Sequence, residues 1–267
     1  MSASIVSNKP IRHVLGISGG KDSAALAIYM RDKVPEMEYF FTDTGAELPE
    51  VYDYLDKLEA YLAKPITRLM TNGDFDHLLS KYNNFLPSPN TRWCTREMKI
   101  RPFEEWVGID QVITYVAIRA DEDRDGYRST KANIQPKFPF KVDGIVRSDI
   151  ERILINAGVG YPKYYEWRSR SGCYFCFFQR KNEWISLAER HPDLFERAKK
   201  YEKLNTLTGE QYTWTQGETL EQLVARASDI KAQANSRKIV TRRMPWQELL
   251  ANLADEEDNE SCLICTL

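Results

Sequence analysis

Histidine is scarce, with three among 267 residues: His13, His77 and His191. His13 heads an apolar run and His191 precedes a proline, so no Ser-His-Asp arrangement is legible and proton transfer would fall to carboxylates, substrate or water. Long apolar runs are missing too. None nears the roughly 20 residues that span a bilayer, and the opening MSASIVSNKPIRH lacks the apolar segment of a secretory signal. The expectation is a cytoplasmic protein without a membrane partner. Charge of one sign is absent, because 37 Lys and Arg face 39 Asp and Glu for a net charge of −2. The chain as a whole therefore offers nucleic acid no global attraction. Repeats and low-complexity tracts are also lacking; the acidic DEEDNE at 255–260 comes nearest.

What remains is a composition suited to a globular fold, 42% hydrophobic and 28% charged. The length allows one α/β domain with an extension. Basic side chains gather locally at Arg92, Arg96, Lys99 and Arg101, at Arg168, Arg170, Arg180 and Lys181, and at Arg237, Lys238, Arg242 and Arg243. Such groups read first as solvated helix faces and second as patches for an anionic partner.

Apolar runs alternate with helical segments. HVLGI at 13–17 is a strand, and DSAALAIYM at 22–30 a helix whose acidic and hydroxyl start suits capping. Tyr39, Phe40 and Phe41 form a second strand ending on Asp43, Thr44 and Gly45, and a helix follows over about 49–62. PITRLM is a third strand, RWCTREMKIRPFEEWVG a loop running into a helix, and VITYVAI at 112–118 a strand ending on Arg119. SDIERILINAG at 148–158 is a helix closed by Gly158. The alternation predicts an α/β fold, a Rossmann-like parallel sheet flanked by helices. Segments 18–23, 43–45 and 119–124 all begin at strand ends and are expected to line one crevice. More polar helical stretches then predict a helical C-terminal extension, so that a nucleotide-binding unit occupies 1–180 and a helical, Cys-containing part 181–267.

The sequence SGGKDS at 18–23 joins a strand to a helix. Gly19 and Gly20 expose backbone N–H groups, the helix N-terminus adds partial positive charge and Lys21 a full one, so a phosphate fits there. Ser18 and Ser23 can donate hydrogen bonds to the same oxygens. Asp22 either caps the helix or helps hold Mg²⁺. The spacing is not that of a Walker A loop.

Five cysteines, Cys94, Cys173, Cys176, Cys262 and Cys265, include two Cys-x-x-Cys pairs, which in a cytoplasmic chain favour metal over disulfide. Either Cys173, Cys176, Cys262 and Cys265 hold Zn²⁺ tetrahedrally, or Cys94 joins Cys173 and Cys176 on a [4Fe-4S] cluster with a fourth ligand from the tail or an open iron. Buried core or redox thiols are the third possibility.

Ser-Gly-Gly-Lys-Asp-Ser matches the PP-loop signature, and from it the chain resembles the adenine-nucleotide α-hydrolase superfamily, in particular its phosphoadenosine phosphosulfate (PAPS) reductase-like branch. The resemblance runs on through FFTDTGAELPEVYDY, YVAIRADEDRDGY and the approach to SGCYFC, over roughly 13–185. It implies that the loop holds ATP with Mg²⁺, that Asp43, Thr44 and Gly45 lie near the nucleotide, and that Arg119 faces a phosphate or carboxylate. Glu122 and Arg124 belong to this nucleotide-binding set or form a surface ion pair. Asp123 replaces the family's serine. RWCTREMKIRPF resembles the segment in which cluster-bearing members place cysteine, which favours the cluster, although the family's adjacent Cys-Cys is Trp93-Cys94 here. Cys262 or Cys265 would then supply the missing ligand.

The resemblance implies an ATP pyrophosphatase or sulfurtransferase in which Lys21, Asp43 and Arg119 serve the chemistry. ATP would adenylate an acceptor and sulfur would displace AMP, as in nucleic-acid thiolation or the phosphorothioation branch linked to phage defence. Implied partners are DNA or RNA, a sulfur-donor protein and defence-complex subunits. A true PAPS or adenosine phosphosulfate reductase with a terminal cysteine nucleophile is the first alternative. Against it, the tail reads ESCLIC without the family's Gly-x-His. The second alternative is a non-catalytic nucleotide-binding subunit.

Overall fold

The computed structural model describes residues 10–124, 126, 129–204 and 211–234. Cys262 and Cys265, with the basic group at 237–243 and the acidic 255–260, lie outside the described residues. Strands β1 (Arg12–Gly16), β2 (Glu38–Asp43), β3 (Ile66–Met70), β4 (Val112–Tyr115) and β5 (Ile134–Lys137) form one parallel sheet in the order β3-β2-β1-β4-β5. The chain moves outward from β1 to β3 and then returns to the far side of β1. The strand order thus reverses beside β1, where open α/β sheets form their ligand crevice.

Side chains alternate across the sheet with the period of two that strands impose. Leu15, Tyr39, Phe41 and Ile66 enter one core with helices α1 (Lys21–Met30) and α2 (Pro49–Leu62) and with Ile150 and Leu154 from later in the chain. Val14, Phe40, Leu69 and Val112 enter the other with Phe103 and Val107. Those two residues come from α5 (Arg101–Val107), which follows α3 (Phe75–Lys81), α4 (Trp93–Thr95) and a π turn at Arg96–Ile100. Burial on both faces explains why the strands read as continuous apolar runs. Each fully buried Leu, Ile or Phe contributes about 1.5–3 kcal/mol.

After β5 come α6 (Pro139–Val142), α7 (Arg147–Asn156) and a 3₁₀ turn at Lys163–Glu166. The extension comprises α8 (Lys181–Arg190), α9 (Pro192–Lys199), the antiparallel pair β6 (Lys203–Leu204) and β7 (Gln211–Tyr212), and α10 (Leu220–Ala225). Its Trp184, Phe195, Trp214 and Leu220 join the same buried cluster as Leu15, so the extension shares its core with the sheet. No helix among the described residues is long and apolar enough to cross a membrane.

Several local expectations need correction. The ladder of β4 stops at Tyr115, although Val116, Ala117 and Ile118 stay buried up to Arg119. β5, with the sequence IQPK, has no counterpart in the expected strands; its Pro136 sits at the sheet edge, where a missing N–H is tolerated. Neither Asp22 nor Ser23 caps α1: the N-cap is Gly20, without a side-chain bond.

Candidate active site

The loop after β1 is held from three sides. Gly19 has φ +74°, and a Cβ there would stand 2.6 Å from Val51 Cγ1, so the loop lies directly on α2. Ser18 N donates to Ser23 Oγ at 3.1 Å, and Ser23 Oγ donates to Gly20 O at 3.2 Å. From the 3₁₀ turn, Tyr164 OH donates to Gly19 O at 2.7 Å, and Tyr165 OH accepts from Lys21 N at 3.3 Å. Lys21 Nζ lies 5.4 Å from the centre of the Tyr165 ring and 3.4 Å from Asp22 Oδ2.

Arg119, nearly buried, fixes the loop after β4 against this turn. Its Nη1 reaches Glu122 Oε1 at 2.6 Å and Asp22 Oδ1 at 3.2 Å, and its Nε donates to Asp121 Oδ1 at 2.9 Å. Glu122 Oε2 accepts from Arg124 Nε at 2.7 Å. Glu122 and Arg124 are thus an ion pair, but a buried one, with side chains 5% and 11% exposed. Burial opposes the Arg119 charge, yet Asp22, Glu122 and Asp121 outweigh it and hold the guanidinium protonated. Burial likewise pushes the Glu122 carboxyl up, against the pull of Arg119 and Arg124. Three cations, Lys21, Arg119 and Arg124, face three carboxylates here. Attraction for an anion therefore comes from the loop's N–H groups and the end of α1 rather than from net side-chain charge.

The loop after β2 turns through Asp43, whose Oδ1 accepts from Gly45 N and from Tyr52 OH, both at 2.8 Å. Thr44 Oγ1 donates to Glu47 Oε1 at 2.9 Å and lies 3.2 Å from Cys173 Sγ. Glu47 is buried, and burial pushes its carboxyl up. Burial, followed by the Glu47 charge, pushes the Cys173 thiol well up and favours its protonated form.

Cys94, Cys173 and Cys176 line one small cavity of about 40 Å³ that opens to solvent, together with Lys99, Phe177 and Phe178. Arg168 shapes this wall. Its guanidinium is buried and donates to Gly172 O at 3.1 Å and Cys173 O at 2.8 Å, so it does not belong to a solvated face. Tyr174 N donates to Ala46 O at 2.8 Å and stitches the Cys-x-x-Cys turn to the loop after β2. Trp93 is core: it stacks on Tyr82 and Phe75 and donates from its indole to Phe85 O. Among the described residues no group of three or more His, Cys, Asp or Glu stands where it could hold a metal ion. The three thiols share a wall without converging on one point.

Segments 18–23 and 119–124 meet through Asp22 and Arg119, whereas 43–45 meets the Cys-x-x-Cys turn through Thr44. Tyr164, Tyr165, Ser171, Glu47 and Arg168 were not anticipated as site residues. The run YYEWRSRSGCYFC held the signal, but its aromatics read as core and its arginines as surface.

The family pattern described as Phosphoadenosine phosphosulfate reductase domain matches residues 12–176, well over half of the chain. An uncharacterized protein of Methanocaldococcus jannaschii is 23% identical over 191 residues, which cover 67% of this chain and 45% of that protein. The chain thus spans less than half the length of that relative. An uncharacterized 37.8 kDa protein from the gpa 5' region of Escherichia phage 186 is also 23% identical, covering 72% of this chain and 75% of the phage protein. Among solved structures, phosphoadenylyl-sulfate (PAPS) reductase from Candida auris in its phosphate complex is similar with a TM-score of 0.48 and 15% identity, over 63% of this chain and 84% of that one. On the extent of the sequence match, the chain belongs to the phosphoadenosine phosphosulfate reductase domain family.

Proposed function

We propose that the protein is a PP-loop enzyme of this family that binds ATP with Mg²⁺, adenylates an acceptor oxygen and supports transfer of sulfur to that acceptor. The observation that carries this is adjacency. Ser171 Oγ lies 3.5 Å from Ser18 Oγ in the phosphate-binding loop, and two residues later Cys173 enters the thiol-lined cavity. One short segment thus touches both the Gly-rich loop and the thiol-lined wall, which supports a nucleotide and a sulfur species side by side.

An acceptor oxygen attacks the α-phosphorus, the bond to the bridging oxygen breaks and pyrophosphate leaves. Lys21 and the loop N–H groups offset the charge on the leaving group. The acceptor proton passes to water or to Asp43. A hydrosulfide-equivalent nucleophile then forms the new bond to sulfur as the bond to the AMP oxygen breaks. Arg119 and its carboxylates keep the two strand-end loops in register throughout.

The cavity wall offers three thiols and neither carboxylate nor imidazole, a soft donor set that suits iron–sulfur or zinc. Cys94, Cys173 and Cys176, with Cys262 or Cys265 as a fourth donor, would hold a [4Fe-4S] cluster, which when bound supplies sulfur or electron chemistry at that wall. The acceptor we favour is nucleic acid. Phe178 lines the cavity with the guanidinium carbons of Arg92 and Arg170 at 5.4 and 5.6 Å from its ring centre, which joins a stacking face to positive charge. A sulfur-donor protein would supply the nucleophile.

The test is product analysis with oxygen-free protein, ATP, sulfide and single-stranded DNA or RNA. AMP and pyrophosphate, formed with acceptor dependence, support the proposal. ADP and phosphate overturn it, and no turnover with any acceptor would leave a non-catalytic nucleotide-binding subunit.

A further inference from the structure

Three hydroxyls from two distant parts of the chain converge over the α-carbon of Gly20. A Cβ at Gly20 would stand 3.0 Å from Ser171 Oγ, 3.4 Å from Ser18 Oγ and 3.5 Å from Tyr165 OH. Gly20 has φ −94°, an extended backbone open to any residue, so conformation does not require glycine there. The close hydroxyls restrict it instead, and they gather beside the first turn of α1, where the helix end favours negative charge.

Two of these hydroxyls are weakly engaged. Ser171, 8% exposed, donates to Ser18 Oγ at 3.5 Å, the outer limit of a hydrogen bond. Tyr165 accepts from Lys21 N at 3.3 Å, also long, and shares a neutral hydrogen bond with the Tyr164 hydroxyl that a charged acceptor can replace. Burial pushes that phenol up and keeps the proton in place near neutral pH. Tyr164, stacked beside it at 4.8 Å, differs: it spends its proton on Gly19 O at 2.7 Å and so holds the loop's shape. Long neutral contacts give way readily to shorter, charge-assisted bonds when an anionic oxygen arrives.

We propose that Tyr165 and Ser171 complete the phosphate cradle from outside the Gly-rich loop, each donating its hydroxyl to the pyrophosphate end of the nucleotide, an assignment that rests on the ATP binding proposed above. Gly20 is then glycine for room: a methyl group there would occupy the place the three hydroxyls surround.

Calorimetric titration of pyrophosphate and of ATP with Mg²⁺ into the full chain tests this, alongside thermal melting of each unliganded variant. Tyr165→Phe keeps the ring stack, and Ser171→Ala removes one oxygen. Each is expected to weaken both ligands roughly tenfold, the worth of a hydrogen bond to a charged group, with the melting temperature unchanged. Gly20→Ala is expected to lose pyrophosphate binding, and the two hydroxyl variants decide the matter by themselves if Gly20→Ala does not fold. Unchanged or tighter binding by Tyr165→Phe or Ser171→Ala overturns the role of that residue and leaves nucleotide binding standing. Failure of the unmodified chain to bind either ligand overturns the ATP reading, and this assignment with it.

Discussion

Arg119 Nη1 meets Asp22 Oδ1 at 3.2 Å, and this one ion pair spans from the loop after β4 to the first turn of α1, across the reversal of strand order. The same nitrogen serves Glu122 at 2.6 Å. Removing Arg119 leaves Glu122 with Arg124 and Asp22 with Lys21, so the cluster carries one carboxylate charge uncompensated, which costs about 3 kcal/mol, the low end for a broken buried pair. We expect Arg119→Ala to lower unfolding free energy by about 3 kcal/mol in urea titrations. Adding Glu122→Gln should recover part of the loss, because the uncompensated charge is then gone. A loss below about 1 kcal/mol, the range of a surface pair, would show that the network is not a buried ionic unit.

Lys21 is expected to act on turnover rather than on stability. Its ammonium pairs with Asp22 at the edge of the loop, and its proposed partner is charge that develops on departing pyrophosphate. Lys21→Ala should reduce AMP formation roughly 10²–10³-fold, as loss of one transition-state donor does elsewhere, while melting stays near that of the unmodified chain. Unchanged turnover removes the loop from the reaction.

Cys173 ties the thiol wall to the loop after β2, 3.2 Å from Thr44 Oγ1. For protein purified without oxygen, iron, acid-labile sulfide and zinc content with a visible spectrum should give about four irons and four sulfides per chain if a cubane cluster is bound. Cys173→Ala should lose that metal. Stoichiometric zinc without iron would make the site structural, and full metal retention in the variant would remove Cys173 from the ligand set.

Glu218 sets a pH dependence for packing within the extension, where it ties the start of α8 to the end of α10. It accepts from Arg226 Nε and Nη2 at 2.8 and 2.7 Å and from Lys181, and these bonds, the Arg226 bond foremost, pull its carboxyl down to about 2. A depressed carboxylate contributes stability that is present above its ordinary value and is lost as pH falls through that value toward about 2. Arg226 and Lys181 are both close to half exposed, so screening limits the contribution to about 1 kcal/mol. Melting curves of the unmodified chain and of Glu218→Gln should therefore differ at pH 7 and converge by about pH 2, with a smaller gap in high salt. A gap that persists in acid would mean that Glu218 acts by packing.

Strand and helix order was legible because it depends on near-neighbour pattern: buried β-branched runs, Pro49 at a helix start and Gly-rich turns at strand ends all act over a few residues. β5 escaped, since a four-residue edge strand containing Pro136 carries almost no periodic signal. The sequence by itself determined the parallel α/β order, the Gly-rich strand-to-helix turn at 18–23 and the cysteine spacing, because each is fixed by local chemistry. Only the tertiary structure decided that Arg168 is buried behind the Cys-x-x-Cys turn, that Glu122 and Arg124 pair out of solvent, and that Tyr165 and Ser171 lean over Gly20 from about 150 residues away. The physical reason is that a charged or hydroxyl side chain reads as surface until its distant partners are known, and those partners come from chain closure across the sheet rather than from any window of sequence.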